Sequence, residues 1–217
     1  MFLSEAEVNK VVKTVKGITP EDAVLTDMKR YFHDKYDIEI LDYICSTEEF
    51  GPPGNKSKRA EFVVWDITEA EKCPTAFDMK VRDEVKRFFA KACREHGLHP
   101  DFYDPSKFFP NLTDIESDIT EQLIRKKRGI IDHMLRCYPQ IRRHQYSGTC
   151  VHVFYETDKD IAENEKSGLS SEIRYRVSDI LGEYEGFEGR KLGVTVFTSL
   201  QTLREKYDNN TYWYFHG

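Results

Sequence analysis

"FGPPGNKSKRAEFVVWD", residues 50–66, decides the fold, because it has two readings that lead to different architectures. As a phosphate-binding loop it would open a nucleotide-binding sheet; as a turn it joins two neighbouring strands. A phosphate loop needs G-x-x-x-x-G-K-[ST] between a strand and a helix, so that several backbone N–H groups and a helix N-terminus reach the phosphates. Here Gly51 and Gly54 are three apart, Asn55 separates Gly54 from Lys56, and the β-forming run "RAEFVVWDI" (59–67) follows in place of a helix. Phe62 to Asp66 imitates the acidic strand that accompanies such loops, but there is no room for an intervening helix. The stretch therefore reads as a Pro-Gly hairpin loop with a solvated basic tip, and no nucleotide site is expected.

Working outward, "DIEILDYICS" (37–46) reads as the partner strand, and amphipathic spacing predicts helices over about 4–15 and 21–35 before it. After an acidic loop, "ITEAEKCPTA", a third helix is expected over about 78–95, ended by Gly97, and then a short extended segment near Phe102 and Tyr103. Thr113 with Glu116 reads as a capping box opening the longest helix, which Pro139 stops. Beyond it come a strand at 149–157, a second acidic loop, a helix at about 170–185, a strand at 191–199, a short helix and a terminal aromatic strand, "TYWYF" (211–215).

That order repeats. At an ungapped offset of 92, residues 60–97 and 152–189 share Phe62/Phe154, Asp66/Asp158, Ala70/Ala162, Glu71/Glu163, Arg82/Arg174, Val85/Val177 and Gly97/Gly189; chance would give about two identities over such a length. The expectation is an α/β or α+β fold, a mixed β-sheet with covering helices, built of two related halves at 1–112 and 113–217, either separate or continuous as one domain.

Composition narrows function by exclusion. The 217 residues are 39% hydrophobic and 32% charged, with net charge −6: enough apolar side chains for a core, and an acidic balance that argues against general nucleic-acid coating. No apolar run approaches a membrane span, and the opening "MFLSEAEVNK" carries acids where a signal peptide needs a basic and then an apolar run, so a cytoplasmic setting is expected. The five cysteines, an odd number without a C-x-x-C pair, read as reduced thiols. No motif calls for a cofactor.

Candidate site residues fall into three groups. The acids Asp66, Glu69 and Glu71, and Asp158, Asp160 and Glu163, each follow a strong strand, where open sheets present functional side chains. They suit a basic protein partner by steering. In the alternative, Asp66 and Asp158 hold a metal for phosphodiester hydrolysis, with His96 or His99 as general base. A looser set, Cys137, His144, Cys150 and His152, lacks the tight spacing of a zinc site, and the basic run Arg125–Arg128 with Arg136, Arg142 and Arg143 reads as a solvated helix face. Tyr212 and Trp213 belong to an aromatic run able to anchor an interface. The expected function is an acidic protein-interaction module of the inhibitor or immunity type; metal-dependent hydrolysis is the alternative.

Overall fold

The computed structural model describes residues 3–50, 57–73, 78–190 and 192–216, apart from the side chains of 47–50 and 57. The fold is mixed α/β, and the chain divides into two compact units, Met1–Asp118 and Ile119–Gly217.

In the first unit α1 (Glu5–Val15) opens on a Ser4–Glu7 capping box, and α2 (Ala23–Tyr36) on Asp22, whose side chain accepts from Leu25 N. The strands β1 (Asp42–Phe50) and β2 (Ser57–Val64) are antiparallel, with Phe50 opposite Ser57. The segment 51–56, with Gly51, Gly54 and Lys56, lies outside the described residues. Its flanks are neighbouring antiparallel strands, the hairpin arrangement. Then come α3 (Ile67–Glu71), α4 (Met79–His96) and β3 (Phe108–Asp114), which pairs with β2 in parallel, so that β2 is central. Alternation along β2 turns Ala60, Phe62 and Val64 toward α2 and α4, where Phe62 lies 5.2 Å from the Phe32 ring and 5.3 Å from Phe89. Truncating a ring buried this way costs about 3–5 kcal/mol. The opposite face of β2 buries Glu61, held by Thr113 and Asn111 and facing Arg59 at 3.2 Å.

The chain enters the second unit within α5 (Ile115–Arg136). There β4 (Arg143–Ser147) and β5 (Cys150–Tyr155) form an antiparallel hairpin. After α6 (Asp158–Ser167) and α7 (Leu169–Leu181), β6 (Val194–Ser199) returns parallel to β5. Two further helices follow, α8 (Leu200–Tyr207) and α9 (Thr211–His216). In both units a hairpin is followed by two helices and then by a strand parallel to the central one that leads directly into a helix.

Equivalent hydrogen bonds fix the correspondence, and it is not the offset of 92. Leu41 N donates to Val63 O as Arg142 N donates to Phe154 O, and Glu116 N to Trp65 O as Gln201 N to Glu156 O. Val63 therefore answers to Phe154, 91 residues on, and Asp114, opposite Val64, answers to Ser199, opposite Tyr155, 85 residues on. A one-residue slip would turn every strand side chain to the wrong face. Phe62 thus corresponds to Val153, and Gly97, the left-handed cap of α4, corresponds to Gly182 and not Gly189.

Four other expectations are corrected. Both acidic loops are helical: Asp66 caps α3, and Thr157 with Asp160 forms a capping box that starts α6. Phe102 closes a 3-10 turn, Pro100–Phe102, and the strand comes later, at Phe108–Asp114. Residues 37–41 precede β1 instead of opening it. The terminal aromatics form a helix, because Asn210 Oδ1 accepts from Tyr212 N at 2.9 Å and Trp213 N at 3.3 Å and so starts α9.

Candidate functional site

In the first unit, His99 belongs to a hydrogen-bonded chain with two residues the sequence did not single out. Asp22 Oδ1 caps α2 through Leu25 N at 2.8 Å, which leaves Oδ2 to meet the Tyr43 hydroxyl at 2.6 Å; on its other side that hydroxyl lies 2.6 Å from His99 Nε2. His99 is held there by a left-handed backbone, φ 50°, just after the α4 cap. The chain opens into a cavity of about 270 Å³ that Lys10, Cys45 and Phe102 also line. Lys10 reaches it from α1, bound to Asp42 at 3.0 Å and to the Tyr43 carbonyl at 2.6 Å.

Burial, the largest influence, lowers the His99 pKa and so favours the neutral ring, while Asp22 pulls it back upward. Burial likewise raises the Tyr43 phenol and the Cys45 thiol, and pushes Cys93 up to about 12, so these thiols stay protonated at neutral pH. The pocket thus holds a neutral imidazole and an ammonium rather than a thiolate. No sequence signal could have found it, since its members come from four separate elements.

His96 is exposed and bonds Asp27 at 2.8 Å, so the two candidate histidines have different partners. Asp66 is occupied as a helix cap, accepting from Glu69 N at 3.0 Å and from the Thr68 hydroxyl at 2.6 Å. Glu69 pairs with Lys72 at 2.7 Å, and Glu71 is exposed.

In the second unit, Asp158 accepts from the hydroxyls of Ser199 and Thr202, which hold its carboxyl below the usual range; the Thr157 hydroxyl and amide do the same for Asp160. Glu163 faces Lys159 at 3.2 Å. Asp160, Glu163, Glu156 and Arg142 line a polar cavity of about 320 Å³, so two of the candidate acids do share a site. His144 joins a cluster of its own, with Asp132 Oδ1 at 2.8 Å from His144 Nε2 and 2.5 Å from the Tyr146 hydroxyl. Burial works to raise the Asp132 pKa, yet these hydrogen bonds hold it low. His152 instead meets the Tyr214 hydroxyl at 3.2 Å.

Several members of the basic run have structural work. Lys127 Nζ donates to the carbonyls of Ile180 and Leu181 at the end of α7, both at 2.8 Å; Arg128 stacks 4.7 Å over Tyr146, and Arg142 faces Glu156 at 3.6 Å. Tyr212 and Trp213 are 61% and 57% exposed, whereas Tyr214 and Phe215 pack on His152.

Among the described residues no three His, Cys, Asp or Glu side chains converge as a metal set. All five cysteines are free, and no described helix is long and apolar enough to cross a membrane. No known protein family matches the chain, and none of the curated proteins or solved structures does.

Proposed function

We propose that this chain is a protein-interaction module, of the inhibitor or immunity type and working in the cytoplasm, that receives a basic protein on its second unit. The observation that carries the reading is α6. None of the side chains of this ten-residue helix is fully buried; Asp160, Ile161 and Asn164 are half-buried and the other seven are exposed. The helix presents Asp158, Asp160, Glu163 and Glu165 against Lys159 and Lys166. The hydroxyl bonds that depress Asp158 and Asp160 keep both charged throughout the neutral range. Fixed carboxylates on a rigid helix attract a cationic surface over about 8 Å at physiological ionic strength. Exposed Tyr212 and Trp213 supply rings of the kind that anchor interfaces. Asp66, Glu69 and Glu71 offer a second acidic surface on the first unit. The hydrolase alternative has no metal set to draw on among the described residues.

The test is capture of proteins from a lysate on the immobilised chain, at about 50 and 300 mM salt, with the parent, Glu163→Lys/Glu165→Lys and Trp213→Ala. A basic protein should be retained by the parent at low salt, and released by salt and by both variants. Retention indifferent to salt and to charge reversal, or no basic protein retained, ends the reading.

A further inference from the structure

We propose that the cavity beside the Asp22–Tyr43–His99 chain binds a small neutral molecule of the amide class, which donates its N–H to His99 Nδ1 and accepts from Lys10 Nζ at its carbonyl oxygen. This goes beyond the partner-binding reading and uses none of its residues.

The polar atoms left over in the cavity fix the pattern of the ligand. The Tyr43 hydroxyl spends its proton on Asp22 Oδ2, 2.6 Å away, because a carboxylate can only accept. His99 Nε2, at 2.6 Å from the same hydroxyl, therefore carries the proton of its ring. That leaves Nδ1 as an acceptor which no described residue bonds and which solvent can reach. Burial foremost, with Lys10 adding to it and Asp22 opposing, favours the neutral ring that such an acceptor needs.

Lys10 supplies the complementary donor. An ammonium has three protons, and here Asp42 Oδ1 takes one at 3.0 Å and the Tyr43 carbonyl another at 2.6 Å. The third is unspent, on a side chain 48% exposed. Those two bonds hold Nζ 5.2 Å from the centre of the Tyr43 ring, and His99 packs edge-on against the same ring at 5.4 Å. Acceptor and donor thus flank one fixed aromatic side chain.

Charge and size select the class. Lys10 answers Asp42, and Lys58 answers Asp101 at the exposed mouth, which leaves Asp22 as one negative charge in excess. An anion is disfavoured there, and a cation cannot use the Lys10 donor. Buried Ile44 and Phe102 and the protonated Cys45 thiol give the remaining wall an apolar surface. The volume of about 270 Å³ lies below the roughly 300–1,000 Å³ of drug-sized sites, so one small ring is the fit. A cyclic amide holds N–H and C=O on the same side and keeps methylenes on the other, which meets both demands.

The experiment is titration of δ-valerolactam into the nitrogen-15-labelled full chain, followed on the histidine-ring and backbone resonances. His99 Nδ1 and the amides of Ile44 and Phe102 should shift in a saturable way, while His144, which bonds Asp132 in the second unit, stays still. The N-methyl derivative of the lactam, with the same carbonyl and ring but no N–H, should bind about tenfold more weakly or worse, and valerate, an anion of similar size, likewise. Neither comparison needs a variant to fold. His99→Asn suits the left-handed backbone and leaves Tyr43 its bond to Asp22, so it should keep a dispersed spectrum and lose the response at Ile44 and Phe102. The absence of a saturable shift at His99 overturns the proposal. So does equal affinity for the N-methyl lactam or valerate, equal movement of His144, or an undiminished response in His99→Asn.

Discussion

The Tyr43 hydroxyl oxygen lies 2.6 Å from His99 Nε2, and Asp22 Oδ2, 2.6 Å away on its other side, decides where the protons sit. A carboxylate only accepts, so the phenol proton points to Asp22, and His99 must donate from Nε2, leaving Nδ1 as the basic nitrogen. Tyr43→Phe strips both neighbours of this bond. The expected loss is about 1–3 kcal/mol, at the lower end because the adjoining cavity admits water. For a chain of this size that is roughly 2–12 °C in the melting midpoint. Nitrogen-15 spectra of the imidazole check it directly. The parent should show the Nε2–H form, and an Nδ1–H ring or an unchanged melt in the variant would contradict the assignment.

Acid should weaken the fold first through two buried histidines. Burial lowers the pKa of both His99 and His152 below the ordinary 6.5. The unfolded chain therefore takes up these protons first as pH falls, and stability that is complete above about pH 6.5 is lost below it, until the buried rings themselves charge. Asp132, Asp158 and Asp160, all held low, contribute only in a more acidic window. Urea melts from pH 8 to 5.5 should show a falling midpoint that flattens in His99→Gln/His152→Gln. A slope left intact in the double variant would place the titrating group elsewhere.

What the sequence disclosed follows from where each strand sits. Both central strands end in an apolar run, Phe62–Val64 in β2 and Val153–Tyr155 in β5, and both were legible from their β-forming residues. Of the outer strands, β1 and β6 were read as well, but β3 and β4 were not. Pro110 makes "FFPNLTD" look like a break, yet its missing N–H points away from β2 and costs the sheet nothing. Thr113 and Glu116 imitate a helix start there, while the cap that operates is Asp114 Oδ1, accepting from Ser117 N at 2.9 Å. "RHQYS" has no apolar alternation, since β4 is half-buried at best. At the candidate site His99 was visible as a histidine beside a helix end, but Asp22 and Tyr43 were ordinary cap and core residues until the fold joined them.

Gly193 should be the least replaceable of the loop glycines for which side-chain clearance can be judged. Its φ is +72°, and a Cβ there would stand 2.9 Å from Leu181 Cδ1 and 3.2 Å from Thr120 Cγ2, where the start of β6 passes under α7 and α5. Gly168 makes the comparison, with φ +86° and nothing within 4 Å of the added carbon. Gly168→Ala meets only the left-handed backbone penalty, about 1–2 kcal/mol. Gly193→Ala adds an overpacking term of about 1–3 kcal/mol, because Thr120 is branched at Cβ and has few rotamers to escape into. Urea denaturation of the two variants at one protein concentration separates the contributions. Gly193→Ala should lose clearly more, with an unchanged denaturant slope. Equal losses would mean that Leu181 and Thr120 yield freely and that backbone strain alone selects glycine at the entry to β6.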